Sequence, residues 1–265
     1  MNRFITAGAG LALIATPLVA TTATASDVST AERKAPSAYS VSARISQTTS
    51  IAKEDTVKIS GKVSPNAAGE KVVLQQRMDG KKTWSVSGTS KVKPNGKFVL
   101  KDDPSATGTR FYRVLKPAAG SVKKGVSKEL ELVVYGWEKL GYRSRGPATN
   151  VVVNNAVIAT DNYGVSIVSQ TAGTPASIEY TLGKKCLALR STYALTDSSE
   201  SGSTGSVALK IDGGVGFQSA LSLGQVIADQ ETNIAGAYRI SFDLAGSAAP
   251  KGYVAVGTPE VLCTK

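Results

Sequence analysis

The sequence predicts an all-β protein with two β-sandwich domains, and three features of the chain lead to this prediction. Apolar and polar residues alternate over short stretches, as in Val57–Ser60 and Glu129–Val133. Gly, Pro, Asn and Asp separate these stretches at short intervals, and the residues between Tyr39 and Tyr135 show no helical period. Alternation with a period of two is typical of half-buried antiparallel strands, and closely spaced turns are typical of sandwiches.

The N-terminal 25 residues have the three parts of a secretory signal peptide. Arg3 provides the positive charge, Phe4–Ala20 is mostly apolar, and Ala23–Ala25 forms an A-x-A cleavage site before Ser26. The alternative is a membrane anchor, but the apolar stretch is short and no basic stop-transfer cluster follows it. We therefore expect a protein with no membrane span that is secreted or held at the cell envelope.

A flexible leader is expected over residues 26–38, since they include almost no large apolar side chain. The first sandwich is expected over residues 39–135, with turns at Asp79-Gly80, Pro94–Gly96 and Ala118–Gly120. Its predicted strands are Tyr39–Ile45, Thr56–Val63, Lys71–Met78, Trp84–Gly88, Lys97–Leu100, Thr109–Leu115 and Lys128–Tyr135.

Several motifs of this first domain carry a resemblance to a known family. They are Gly61–Pro65, Ala68–Arg77, Trp84, Gly96–Phe98 and Phe111–Val114. Together they resemble the bacterial immunoglobulin-like modules of exported Gram-positive (actinobacterial-type) proteins. The resemblance implies a sandwich that serves as a spacer, an adhesin or an accessory to an enzyme, and it leaves the function open.

A connector is expected over residues 136–149 and a second sandwich over residues 150–265. We expect a hairpin turn at Asn154-Asn155 and an exposed loop at Asp197–Gly205. The predicted strands are Val151–Val153, Ala156–Ala159, Val165–Ser169, Ser177–Leu182, Cys186–Tyr193, Ser206–Ile211, Val215–Ser219, Gln225–Ala228, Tyr238–Asp243, Tyr253–Val256 and Pro259–Cys263.

The second domain resembles the NPCBM-type and other galactose-binding-like jelly-roll modules. The resemblance rests on the order of Val151–Asn155, Ile178–Gly183, Cys186–Leu189, Val207–Gly213 and Tyr238–Leu244. It implies a jelly-roll sandwich that binds glycan. The chain departs from the family pattern where a leucine replaces the aromatic residue of the hairpin strand, and where no Trp follows the last long strand.

Positive charge is concentrated in the first half of the mature chain. Residues 26–136 contain 20 positive residues (Lys and Arg) and 10 negative residues (Asp and Glu). Residues 137–265 contain 10 positive and 10 negative residues. Such a basic block attracts anionic envelope polymers, and it is equally typical of a solvated, lysine-rich surface. No nucleic-acid partner is expected, since the lysines lack the interleaved aromatic residues of a single-strand platform.

The chain contains no histidine, which excludes several classes of secreted enzyme. Ser-His-Asp and Cys-His nucleophiles, His-ligated zinc and a histidine base all require that residue. A carboxylate-dependent glycosidase needs two acids in one cleft, and the sequence does not place Asp161, Glu179 or Asp243 in that way. We therefore expect a non-catalytic protein without a cofactor or catalytic metal.

Cys186 and Cys263 are the two cysteines of the chain, and we expect them to form a disulfide. An exported protein with two cysteines usually pairs them. The alternatives are a free thiol and a pair of metal ligands, although two cysteines without histidine do not complete an ordinary zinc site.

A sugar site on a sandwich combines an exposed aromatic face with amide and carboxylate groups. Asp161, Asn162 and Tyr163 provide all three types at a strand end, and Trp137 and Tyr193 are candidates to extend the platform. The alternative, which the sequence favours, is an ordinary Asx-type turn formed by the same three residues.

Two further groups of residues complete the set of candidates. Tyr142 is a possible addition to the aromatic platform, and Asp197 and Glu200 could help to hold calcium, although their spacing lacks the ligand ladder of a dedicated calcium loop. The expected function is binding of an extracellular or cell-wall glycan. The alternative is adhesion to an envelope protein through a sandwich surface; the sequence leaves the oligomeric state open.

Overall fold

The computed structural model describes residues 38–264, and these residues form an all-β protein with one short 3-10 turn, Leu140–Tyr142. The fold class predicted from the sequence is confirmed. The predicted signal peptide and the leader up to residue 37 lie outside the described residues. No helix within residues 38–264 is long and apolar enough to cross a membrane.

The strands are numbered in chain order. They are β1 Ser40–Ile45, β2 Thr49–Ile51, β3 Val57–Ser64, β4 Lys71–Met78, β5 Ser85–Lys91, β6 Lys97–Asp102, β7 Gly108–Lys116, β8 Gly125–Val126, β9 Leu130–Lys139, β10 Ala148–Thr149, β11 Val151–Ile158, β12 Asp161–Ser169, β13 Ala176–Thr181, β14 Cys186–Leu195, β15 Thr204–Ile211, β16 Gly214–Ser222, β17 Val226–Asn233, β18 Arg239–Gly246 and β19 Val254–Cys263.

Strands β1 to β9 form the first sandwich. One sheet has the order β1-β3-β6, and the other has the order β5-β4-β7-β9-β2, with β8 paired to the end of β7. All pairs are antiparallel except β2 with β9. This distribution of strands is that of an immunoglobulin-type sandwich, in which a three-stranded sheet packs on a longer sheet.

The core of the first sandwich follows from the alternation seen in the sequence. Val57 and Ile59 of β3, Leu74 of β4, and Leu132 and Val134 of β9 are fully buried, while the residues between them are more exposed. Since alternate side chains of a strand point to opposite faces, each sheet gives one apolar face to this core and leaves the other face in solvent.

The second sandwich has the strand order of a jelly roll. Strands β12-β19-β14-β17 form one sheet, and β13-β18-β15-β16 form the other. The first sheet is extended by β11 next to β12, and the second by β10 next to β13. Eight strands divided in this way between two antiparallel sheets are the arrangement of jelly rolls.

The disulfide predicted from the sequence is confirmed. Cys186 of β14 and Cys263 of β19 lie directly opposite each other on neighbouring strands, with their Cα atoms 4.0 Å apart. They are separated by 77 positions in the chain. The bond therefore ties the end of the last strand to a central strand of the same sheet.

A single strand, β9, takes part in both sandwiches. Its first half pairs with β7, and residues 136–139 pair with residues 260–263 of β19. The predicted connector, residues 136–149, therefore begins inside a strand rather than in a loop. The two apolar cores nevertheless stay separate, since one ends at Val134 and the other begins at Leu140.

The hairpin turn predicted at Asn154-Asn155 is wrong. Strand β11 continues through these residues with a bulge, and the chain reverses five residues later, at Ala159 and Thr160. Both of these residues have positive φ, at 50° and 73°. Asp197 accepts hydrogen bonds of 2.8 Å from both of their N–H groups, which supports a turn that neither residue favours by itself.

Candidate functional site

Tyr193 does not belong to a surface platform, so that part of the sequence prediction is wrong. Its side chain is fully buried in the second core, where it stacks on Phe217 with the ring centroids 4.9 Å apart. Burial raises the pKa of its phenol to about 12. Tyr193 lies on β14, where the residues from Ser191 to Leu195 are all buried, and this central position explains why no surface role is open to it.

Asp161, Asn162 and Tyr163 begin β12, but the strand directs them to different sides. Asp161 and Asn162 are exposed, and they point to opposite faces because they are neighbours on a strand. The ring of Tyr163 lies over Gly257, where an added Cβ would meet the ring at 2.9 Å. Tyr163 packs on a small apolar cluster with Ile158 and is only partly exposed.

Trp137 is partly buried on β9, and one face of its ring is covered. The guanidinium of Arg190 lies 4.1 Å from the ring centroid, and Glu260 holds this guanidinium through a contact of 2.7 Å. The covered face is not open to a sugar ring. Tyr142 is well exposed in the 3-10 turn that follows β9, but the structure gives it no aromatic or polar partner.

Asp197 and Glu200 serve as structural acceptors. Asp197 supports the turn at Ala159 and Thr160, and a carboxylate oxygen of Glu200 accepts the N–H of Lys251 at 2.7 Å. The loop that contains them is tied to the fold, since Ser203 is buried. Within residues 38–264 there is no group of three or more acidic or cysteine side chains that could hold a metal ion.

A different surface brings polar groups together. It is the outer face of the sheet β10-β13-β18-β15-β16, where an open groove of about 750 Å³ crosses the strands. We call it the polar groove. One row of residues in register spans all five strands: Thr149, Ser177, Asp243, Ala208 and Gln218. At the usual separation of neighbouring strands, this row is about 19 Å long.

The charged side chains of this face form two ion pairs. Lys210 contacts Asp243 at 2.6 Å, and Arg239 contacts Glu179 at 3.5 Å. The four residues lie on three adjacent strands and remain partly exposed. Glu179 and Asp243 therefore share a face, which the sequence did not reveal, whereas Asp161 lies on the other sheet of the sandwich.

Beside this row, three small residues keep the groove open. Ala245, Ser206 and Ala220 form the neighbouring row in register across β18, β15 and β16. The groove thus combines hydroxyl, amide and ionised groups with methyl groups, on a floor without aromatic side chains. Such a surface can bind a ligand rich in hydroxyl groups through hydrogen bonds.

Comparison with known proteins gives no family assignment. The chain matches no protein-family model and no curated protein sequence. The resemblances to immunoglobulin-like and NPCBM-type modules therefore stay predictions, and the argument for function rests on the geometry of the surfaces.

Proposed function

We propose that the protein is a non-catalytic carbohydrate-binding protein whose polar groove takes a segment of an extracellular or cell-wall glycan. The observation that carries this proposal is the row from Thr149 to Gln218, which presents hydrogen-bonding groups across five strands of an open groove. The signal peptide predicted from the sequence supports an extracellular location for this activity.

The composition of the groove favours a glycan over a protein partner at this site. Protein interfaces concentrate their binding energy in buried Trp, Tyr and Arg side chains, and the lining of the polar groove contains none of these. Hydroxyl, amide and carboxylate groups instead match sugar hydroxyls, which act as both donors and acceptors. Methyl groups of Ala208 and Ala220 offer the apolar contact that the C–H groups of a sugar ring require.

Binding without aromatic stacking has a consequence for affinity. Stacking between aromatic side chains adds about 0.5–1.5 kcal/mol beyond the buried area, and a groove without aromatic side chains gains no stacking contribution of this kind. Hydrogen bonds exchanged with water provide only about 0.5–1.5 kcal/mol each. The proposal therefore implies weak binding of a single sugar and tighter binding of longer chains that fill the whole row.

A second candidate function is adhesion to an envelope protein through the first sandwich. On the face of the sheet that contains β4 and β7, Arg113 stacks on Trp84 at 4.1 Å and Arg77 stacks on Phe111 at 4.3 Å. Trp and Arg are the residue types that dominate protein interfaces. Each guanidinium covers a ring face, which disfavours the use of these rings as sugar platforms.

The groove is tested with a substitution that fills it. Ala208 lies at its centre and points to solvent, so Ala208→Trp places an indole across the row without entering the core. Val157→Trp is the matched control, because Val157 is exposed on β11 of the opposite sheet. The purified protein and both variants are screened on a glycan array and on isolated cell-wall polysaccharides.

We expect saturable binding by the unsubstituted protein, a loss of about tenfold or more in Ala208→Trp, and little change in Val157→Trp. Equal binding by all three proteins would contradict the assignment of the site. A blank array, together with binding to an envelope protein that is lost in Trp84→Ala, would favour the adhesion function instead.

A further inference from the structure

The outer face of the sheet β1-β3-β6 has an unusual set of charges. Alternate residues of the three strands point to solvent there, and a turn before β6 adds one more lysine. The cationic residues, all exposed, are Arg44, Lys58, Lys62, Lys93, Lys97 and Lys101. We call this surface the basic face.

None of these six cations is within 4.0 Å of a carboxylate of the described residues. Some cations elsewhere on the same sandwich are paired, such as Arg77 with Glu129 and Lys116 with Glu70. The two acids at the end of β6 are engaged by other groups, since Asp102 accepts a hydrogen bond from the hydroxyl of Tyr112 and Asp103 accepts one from Thr56. The charge of the basic face is therefore not neutralised within the fold.

The register of the sheet places like charges directly opposite each other. Lys62 of β3 lies opposite Lys97 of β6, and Lys58 lies opposite Lys101. Directly opposite residues on neighbouring strands have their Cβ atoms about 4.5–5.5 Å apart, and like charges at this distance destabilise the sheet. Two such pairs on one face, with the pair of Ser60 and Val99 between them, are an arrangement that a bound polyanion would stabilise.

Protection of sheet edges does not explain this arrangement. Lysine on an edge strand prevents association with other chains, and β1 and β6 are the edges of this sheet. Lys58 and Lys62, however, lie on β3, the central strand, which has both of its neighbours in place. The lysines of the central strand thus call for a different explanation.

The basic face also contains a groove of about 510 Å³. Arg44, Lys62, Lys93 and Lys97 line it, together with the polar side chains of Ser42, Ser60 and Asn95. No acidic residue lines it. Hydroxyl and amide groups are therefore interleaved with positive charges, and the Nε–H of Arg44 already donates to Ser60 at 3.2 Å.

We propose that the basic face binds an anionic polysaccharide. The lysines would contact its carboxylate or other acidic groups, while Ser42, Ser60 and Asn95 would contact its hydroxyls. Single-stranded nucleic acid fits less well, because such sites stack bases on exposed aromatic rings. The aromatic residue at this groove, Phe98, is buried beneath it. This site lies on a different sandwich from the polar groove, so either proposal can fail without the other.

The experiment compares two double variants of the purified full-length protein, with polygalacturonate as the anionic probe and dextran as the neutral one. Lys62→Gln with Lys97→Gln removes one of the opposed pairs. Lys81→Gln with Lys82→Gln removes the same charge from the exposed turn between β4 and β5, away from the basic face. Binding is measured at low and at high salt.

We expect the unsubstituted protein to bind polygalacturonate, with affinity that falls steeply with salt because the Debye length shortens. The variant of Lys62 and Lys97 is expected to bind about tenfold more weakly, and the variant of Lys81 and Lys82 to bind nearly as well as the unsubstituted protein.

Three results would overturn the proposal. One is no binding of polygalacturonate at low salt, and another is an equal loss in both double variants, which would indicate attraction by net charge alone. The third is tighter binding of single-stranded DNA of matched charge that is lost in the variant of Lys62 and Lys97. A normal unfolding transition for each variant confirms that these comparisons are made between folded proteins.

Discussion

The two sandwiches differ in whether the charged side chains on an outer sheet face form ion pairs. On the sheet face that carries the polar groove, Lys210 is paired with Asp243 and Arg239 with Glu179. On the basic face, Lys62 and Lys97 lie opposite each other with no carboxylate close by. The difference shows that the same architecture supports a neutral, hydrogen-bonding surface and a surface that lacks counter-charges. Under the two proposals, the pairing of the charges, and not their number alone, distinguishes the two ligands.

The interiors of the sandwiches differ in a parallel way. In the first core, the hydroxyl of Tyr112 donates to Asp102 at 2.5 Å, and the guanidinium of Arg110 donates to Gln76 and to the carbonyl oxygen of Ala106. In the second core, the hydroxyl of Tyr193 has no hydrogen-bond partner among the described residues. One core thus contains a connected polar network, while the other is apolar and closed by a disulfide.

The largest predicted effect is that of the disulfide, which the first sandwich lacks. In the chain-entropy model, a closed loop of this length contributes roughly 4 kcal/mol to stability. We expect a reducing agent to lower the Tm of the second sandwich by about 15 °C, as followed by calorimetry. The variant with Cys186→Ala and Cys263→Ala should start from the lower Tm and show no response to the reductant. An unchanged Tm in the unsubstituted protein would contradict this account.

The polar network of the first core gives the next largest effect. Tyr112→Phe keeps the ring but removes the hydrogen bond to a partly buried carboxylate, so we expect it to destabilise the protein by about 1–3 kcal/mol. Chemical denaturation, followed through the fluorescence of Trp84, measures this change. An unchanged free energy of unfolding would show that the other hydrogen bonds of the Asp102 carboxylate, which include one from the hydroxyl of Ser87, are sufficient.

Tyr193→Phe is expected to act in the opposite direction, because the hydroxyl that it removes is buried without a partner. We expect stability at pH 7 to rise by about 1 kcal/mol. Burial raises the pKa of Tyr193 to about 12, so the phenol ionises less readily in the folded state than in the unfolded state. The free energy of unfolding therefore does not depend on this group below about pH 10 and falls as the pH rises toward 12. The variant should therefore lose less stability than the unsubstituted protein over that range. A parallel loss in both proteins would contradict this explanation.

The smallest effects compare the two outer faces directly. Lys62→Gln removes one like-charge contact, and we expect it to stabilise the protein by about 0.2–1 kcal/mol at low salt. Lys210→Gln breaks an exposed ion pair, and we expect a loss of about 0.2–1 kcal/mol. Both changes should shrink at 1 M salt, where the Debye length is about 3 Å. Changes of the same sign at low salt would remove the contrast between the two faces.

Local patterns in the sequence were sufficient to predict much of the fold. Alternation in Ser206–Ile211 and in Arg239–Leu244 places each of these segments on a strand and separates its inner from its outer residues. It does not reveal that β15 and β18 are neighbours, because that pairing joins residues about 35 positions apart. The polar groove depends on this pairing, so its row of residues could not be found from the sequence.

Two errors in the site prediction have a related cause. Tyr193 has a residue type that suits sugar binding at a surface, but β14 lies between β17 and β19 and is buried over its second half. The turn expected at Asn154-Asn155 is a β-bulge between Asn154 and Ala156. The actual turn, at Ala159 and Thr160, depends on Asp197, which is distant in sequence. In both cases a long-range contact decides the role of the residue.

The contrast between the two faces is tested most directly by NMR, with backbone amide shifts of the one protein followed during two titrations. A neutral glycan selected by the array should shift the signals of Ser177, Ala208 and Gln218 at both low and high salt. Polygalacturonate should shift those of Ser60 and Lys62, and only at low salt. If both ligands shifted the same set of amides, or if each ligand shifted amides of both sandwiches, the account of two distinct binding surfaces would be contradicted.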